Sequence, residues 1–194
     1  MTEIDKLLDG FAAFRAATFE TARFRALARE GQKPRLLVIA CSDSRVDPAI
    51  LFGAQPGELF VVRNVANLVP PYQPDGHYHG TSAAIEFAVR DLGVAGIVVL
   101  GHSSCGGIAA LGAEGGAARE FVGPWMSLAA HACAHRGGAA REQASIRRSI
   151  ENLRSFPWIA ERETAGALAL HGWWFDLEEG RLWTLDGEGF SPLA

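Results

Sequence analysis

At 194 residues with 48% hydrophobic content, the chain can bury a substantial core as one domain without disulfide staples. A formal charge of −4 and scattered, ungrouped arginines exclude a protein that tracks a nucleic-acid backbone. Three cysteines, no basic-then-apolar leader and no uninterrupted apolar span of membrane length point to a soluble protein of a reducing cytoplasm with no membrane partner.

From Glu3 to about Arg29, Ile4, Leu7, Leu8, Phe11, Phe14, Phe24 and Leu27 recur at mostly helical intervals between charges. This predicts one or two amphipathic helices, ended by Gly31 and Pro34, whose apolar face covers either the chain's own sheet or a second subunit. A buried strand follows over Leu36–Ala40. Pro48 then opens a short helix through Phe52, and Gly53 with Pro56-Gly57 turns the chain into a second apolar run, Leu59–Val62. Residues 63–80 read as a long loop carrying His77 and His79, which face solvent because nothing nearby completes a ligand set.

Thr81–Leu92 is predicted as a helix closed by Gly93, followed by a third strand at Ile97–Leu100. A further helix starts at Gly106, so Cys105 lies at its amino end, where the helix dipole favours thiolate. Residues 112–118 form a Gly/Ala-rich connection between helices, and two more helical stretches follow at about 124–135 and 141–154. In the first, His131 and His135 share a helical face but Cys133 does not, which favours a free cysteine over a second metal site. After Pro157, residues 167–175 and 181–185 read as two strands of a hairpin joined through Glu178-Glu179-Gly180, with His171 a satisfied core residue beside Trp173.

The chemistry is concentrated in two stretches that both begin where an apolar run ends: Cys41-Ser42-Asp43-Ser44-Arg45 and Gly101-His102-Ser103-Ser104-Cys105-Gly106-Gly107. Open α/β sheets bind ligands at the carboxyl ends of their strands, so the two clusters share one crevice. A working zinc site takes three protein ligands and keeps a fourth position for water, a pattern that Cys41, His102 and Cys105 fit. Two thiolates and a neutral imidazole cancel the charge of Zn2+, so a hydroxide there needs support from its neighbours. Asp43 can accept a hydrogen bond from that hydroxide, and Arg45 can hold Asp43 in a bidentate pair and keep it off the open position. Away from a metal ligand the same two residues would read as a surface ion pair.

Together these residues resemble the paired signature of the β-class carbonic anhydrases. The likeness extends over Gly31-Gln32-Lys33-Pro34, residues 56–67, the helix around Ala84–Val89 and Leu170–Asp176. It implies a single domain over residues 1–194, with a helical arm over 1–30 and an α/β core over 35–194. In that core a mostly parallel central sheet with an added antiparallel edge strand is flanked by helices. It also implies a zinc-dependent lyase that reversibly hydrates carbon dioxide to bicarbonate and a proton through attack by zinc-bound hydroxide. Carried over residue by residue, Cys41, His102 and Cys105 bind zinc, and Asp43 with Arg45 is the catalytic, orienting pair. Gln32, Phe60, Val65, Phe87 and Gly106 line the substrate pocket, and the chain self-associates as a dimer or tetramer with active sites at the subunit interface, which favours the intersubunit role for the arm.

Two departures matter: at Phe87 any role for a pocket hydroxyl is absent, and at Val38, with Asp43 paired to Arg45, the branch is set. Phe87 stands where some members, such as plant enzymes, carry a tyrosine, and Val38 stands where others carry the tryptophan of an inhibitory bicarbonate site. The resemblance is therefore to the plant-like branch whose zinc stays open to water. Two rival readings share the ligand set: a hydrolase of a carbon dioxide analogue such as carbonyl sulfide or carbon disulfide, and a non-catalytic zinc module. Against the module, a purely structural site would fill its fourth position with another Cys or His.

Overall fold

The structure, a computed structural model, describes residues 1–19, 22–111, 119–187 and 189–193. The predicted connection over 112–118 lies outside the described residues. Six strands form one sheet: β1 (Leu36–Cys41), β2 (Leu59–Asn64), β3 (Gly96–His102), β4 (Ala169–Asp176), β5 (Arg181–Asp186) and β6 (Gly189–Pro192), in the order β2-β1-β3-β4-β5-β6. The first four run parallel, and β5 and β6 are added antiparallel. The single antiparallel edge strand expected from sequence is thus two. β6 escaped notice because Phe190 is its only large apolar residue, and Gly187, at φ 57°, begins the turn into it.

The helices are α1 (Glu3–Phe14), α2 (Ala22–Glu30), α3 (Pro48–Leu51), α4 (Gly80–Glu86), α5 (Gly106–Ala109), α6 (Val122–Met126), α7 (Gly138–Arg154) and α8 (Pro157–Thr164). α8 was not expected from the sequence; Pro157 occupies its first turn, where the missing N–H costs nothing, and the helix buries Ile159 completely. The helix expected over Thr81–Leu92 converts at Phe87 to a π-turn running to Asp91, with the Leu92 N–H donating to the Phe87 carbonyl at 3.0 Å.

The expected helix over 124–135 becomes a 3-10 segment, Ser127–Ala134, so His131 and His135 do not share a face. His131 Nε2 contacts the Ala144 carbonyl oxygen at 3.2 Å, His135 is extended, and Cys133 is an exposed free thiol. His171 is also a correction: it lies 6.1 Å from the Trp173 ring but is exposed. Its neighbour Gly172 faces Ile146 of α7, so alternation along the strand turns His171 to the face that α7 leaves uncovered.

The main core lies between that α7 face and the sheet. Leu37 and Ile39 of β1 and Ile97 and Val99 of β3 pack with Ile146, Ile150 and Leu153 of α7, Ile85 of α4 and Ile159 of α8. The packing is tight where it approaches the site. A Cβ at Gly101 would stand 2.6 Å from Ile146 Cδ1 and 2.9 Å from its Cγ1, and Ile146 is fully buried. Gly101→Ala is therefore expected to lower stability by about 1–3 kcal/mol, read as a lower midpoint in urea denaturation with an unchanged slope.

The arm does not cover this core. Thr2 and Asp5 form a reciprocal capping box at the start of α1, yet α1 and α2 bury no residue fully. Arg23 of α2 donates to the Pro56 carbonyl at 2.7 Å and to Glu58 at 3.0 Å, fixing α2 beside the entry to β2. α1 leaves Ile4, Leu7, Leu8 and Phe11 exposed, each at 60% or more. The reading in which α1 packs on its own sheet is thereby excluded.

Candidate metal centre

β1 and β3 are neighbouring parallel strands with Ala40 opposite Leu100, so Cys41 and His102 emerge together at the same end of the sheet. After His102 the chain turns through Ser103 and Ser104, and Cys105 caps α5. The turn is held in an uncommon conformation: Ser104 has φ 57°, and across from it Ala66 and Asn67 have φ 65° and 48°. These are the non-glycine residues in the left-handed region among those described, and all three border the site. Gly107 lets the two turns meet, because a Cβ there would stand 3.0 Å from both Ala66 Cβ and Val65 Cγ1.

Cys41, His102 and Cys105 are all buried, and their ligand atoms lie within 4.8 Å of one another. The two sulfurs are 4.0 Å apart, close to the ~3.8 Å between two sulfurs on a tetrahedral zinc. His102 Nδ1–H donates to the Ser103 carbonyl at 2.8 Å, which leaves the Nε2 lone pair free, and Nε2 is buried without a hydrogen-bond partner. A buried unpartnered nitrogen beside two thiols is costly unless an ion takes its lone pair. The residues present fit a zinc ion. Without one, the thiols share a proton: Cys105 donates to Cys41, which draws the Cys41 thiol down to about 4 and pushes Cys105 above its ordinary value. Metal binding must expel that proton, so affinity rises with pH. α5 spans only four residues, so its dipole contributes less to Cys105 than the expected longer helix would.

Asp43 and Arg45 are joined as the sequence suggested. Asp43 Oδ1 accepts from Arg45 N at 3.0 Å and Nε at 2.9 Å, and Oδ2 accepts from Nη2 at 2.7 Å. These bonds hold the Asp43 carboxyl well below the usual carboxylate range. Arg45 Nη2 also donates to the Ser104 carbonyl at 3.1 Å, and Asp43 Oδ2 lies 3.9 Å from His102 Nε2. The anion is thus clamped beside the unpartnered nitrogen.

The five expected pocket residues fall into separate groups within one chain. Val65 and Gly106 border the cysteine turn, whereas Phe60 and Phe87 pair with ring centroids 5.8 Å apart. Phe60 is four residues before Asn64, the register partner of Cys41, which places it roughly 13 Å down the strand from the metal ligands. Gln32 is exposed after α2.

Two supporting residues were not picked out from the sequence. Arg63 donates from Nε to the Cys41 carbonyl at 2.9 Å, from Nη2 to the Asp43 carbonyl at 2.6 Å and from Nη1 to Asp47 at 2.9 Å, tying β2 to the loop that carries the site. Glu142, 5% exposed, accepts from the Cys105 N–H and from Trp174 Nε1–H, both at 3.0 Å. The signal for Glu142 was present: it precedes Ile146 by four residues and so lies on the apolar face of α7.

A mostly parallel α/β sheet that gathers two thiols and an imidazole at its strand ends defines a metalloprotein. Comparison with known proteins is specific. The family model described as Carbonic anhydrase matches residues 36–182. A carbonic anhydrase of Pseudomonas aeruginosa is 42% identical over 206 residues, covering 97% of this chain and 91% of the relative. The chloroplastic beta carbonic anhydrase 5 of Arabidopsis thaliana is 38% identical over 94% of this chain, which spans 65% of that relative's length. Among solved structures, the β-carbonic anhydrase CcaA superposes with a TM-score of 0.87 at 33% identity, covering 98% of this chain and 100% of that one. A structure from the study of two tetrameric β-carbonic anhydrases of Sordaria macrospora has a TM-score of 0.77 at 33% identity, covering 97% and 98%. The chain belongs to the carbonic anhydrase family, in its β class.

Proposed function

We propose that this chain is a zinc-dependent lyase that reversibly hydrates carbon dioxide to bicarbonate and a proton. The observation that carries the reading is the buried, unpartnered Nε2 of His102 beside the two thiols, with a clamped carboxylate 3.9 Å away. Cys41, His102 and Cys105 hold the ion, which when bound supplies the Lewis acidity that makes water a nucleophile near neutral pH. Asp43 accepts a hydrogen bond from the nucleophile and aims it at the substrate, and Arg45 keeps the carboxylate in position.

Val65 and Gly106 line the substrate pocket beside the ligands, and Gln32, Phe60 and Phe87 complete it from a second copy of the chain. That assignment accounts for the distance between the phenylalanine pair and the metal ligands within one chain. The exposed apolar face of α1 supports self-association as a dimer or tetramer. One domain over residues 1–194, arm followed by core, operates in the cytoplasm. Three free thiols suit a reducing compartment, and no helix among the described residues is long and apolar enough to cross a membrane.

Stopped-flow hydration on protein of measured zinc content, with a chelated aliquot as control, tests the reading. Fast, zinc-dependent hydration is expected, and a zinc-replete protein without it would overturn the assignment in favour of a carbon dioxide analogue. The plant-like, open-zinc branch is tested separately. Val38 is buried in β1 and offers no polar group to a bicarbonate ion, and Asp43 is fully engaged by Arg45. Bicarbonate is therefore expected to act as product only, with hyperbolic inhibition; sigmoidal inhibition in hydration assays would assign the chain to the regulated branch.

A further inference from the structure

Glu142 is the one acidic side chain buried among the described residues, and it reaches the metal centre from behind. It lies on the face of α7 that packs on the sheet, otherwise lined by Ile146, Ile150 and Leu153. One of its carboxyl oxygens accepts the Cys105 N–H and the other the Trp174 Nε1–H, both at 3.0 Å. One turn further on, Ser145 Oγ is buried without a partner. A helix that served the core alone would place apolar side chains at both positions, because burying polar groups there is costly.

Glu142 also separates two spaces. On its outer side lies a cavity of about 470 Å³ bounded by Ser103, Ser104, Arg141, Trp174 and Asp176. On its inner side, the gap it shares with His102, Cys105 and Ser145 has no room for a water molecule. The side chain therefore closes the back of the ligand turn, and solvent does not stand in for its bond to Cys105.

The peptide unit between Ser104 and Cys105 is gripped at both ends. Arg45 Nη2 donates to its carbonyl at 3.1 Å, and Glu142 accepts from its N–H. Ser104 has φ 57°, a conformation that persists only where its surroundings enforce it. The second oxygen of Glu142 carries the restraint to β4, since Trp174 is the register partner of Gly101, the residue before His102. One carboxyl group thus ties the turn that bears Cys105 to the strands that bear His102. Resting on the zinc reading, we propose that Glu142 is a positioning residue: through the Ser104–Cys105 peptide it fixes Cys105 against His102 and so sets how tightly the zinc is held. Partners of this kind, one bond removed from the metal, are worth about tenfold to a hundredfold in affinity.

The test follows zinc release from the loaded full chain into excess chromogenic chelator, together with the urea midpoints of loaded and metal-free protein. Glu142→Met keeps the length of the side chain and keeps water out but removes both acceptors. Its zinc is expected to leave about tenfold to a hundredfold faster than that of the wild type, and the gap between its loaded and metal-free midpoints should narrow. Glu142→Gln offers one accepting oxygen to two donors and should release zinc at the lower end of that range; it carries the same test should Glu142→Met not fold. A merely structural role gives a different split, in which both midpoints fall equally and zinc leaves at the wild-type rate. That result overturns the proposal and leaves the zinc reading intact, whereas a wild-type chain that holds no zinc overturns both.

Discussion

Replacing His102 by alanine is expected to cost the protein its zinc and, with it, roughly a thousandfold or more of hydration activity, since the metal is what brings water into nucleophilic form at neutral pH. His102 is 1% exposed and supplies the one nitrogen of the cluster, and no other imidazole is grouped with Cys41 and Cys105 among the described residues. The thiols left behind are 4.0 Å apart and, with both protonated, one donates to the other, so the substituted chain does not bury an unpaired charge. The fold should therefore survive, apart from the cavity left by the ring. Zinc analysis after dialysis against a weak chelator should fall from about one ion per chain to none, with far-ultraviolet circular dichroism unchanged. Cys105→Ser should behave alike. Retention of one tightly held zinc by His102→Ala would remove the imidazole from the ligand set and require another donor.

The first strands and the location of chemistry at their ends were readable because β1 and β3 are buried on both faces and announce themselves as unbroken apolar runs, whereas the strand order came only with the structure. The ligand set was readable because Cys41 and His102 stand at the ends of such runs and Cys105 follows His102 by three positions, at the start of the next helix. Arg63 and Glu142 were not singled out for a different reason. Each acts through backbone groups of residues distant in sequence, the Cys41 and Asp43 carbonyls in one case and the Cys105 N–H in the other, and backbone partners leave no mark in a sequence. His171 was misplaced because alternation tells which face a strand residue takes but not whether anything covers that face. The 3-10 segment at Ser127–Ala134 and the π-turn at Phe87–Asp91 defeated the reading in a third way, since both preserve an apolar periodicity close to that of an α-helix while changing which side chains align. The pocket residues divide likewise: Val65 and Gly106 border the site by local adjacency, while Phe60 and Phe87 pair with each other away from it within one chain, and their place in the pocket rests on the proposed second copy.

Arg45→Ala is expected to be the most damaging substitution that leaves zinc in place, lowering hydration roughly a hundredfold. In the native arrangement Arg45 uses three nitrogens to hold both oxygens of Asp43 and braces itself on the Ser104 carbonyl. The carboxylate it restrains lies 3.9 Å from His102 Nε2, so once released it would compete for a metal held by that nitrogen. With the guanidinium gone only the backbone N–H of residue 45 still bonds Asp43, and a free anion beside a divalent cation binds it. The loss is thus one of access: the metal content stays at wild-type level, while cobalt-substituted protein should report a carboxylate in place of an exchangeable water. Arg45→Lys should recover part of the activity, because an ammonium restores the charge but not the fork that holds both oxygens. Asp43→Asn separates the two effects. It removes the group that orients the nucleophile without creating a competing anion, so its activity falls while the cobalt spectrum keeps its water. If Arg45→Ala instead lowered activity with the water still in place, the clamp would have no part in keeping the metal open, and the role of Arg45 would reduce to orienting Asp43.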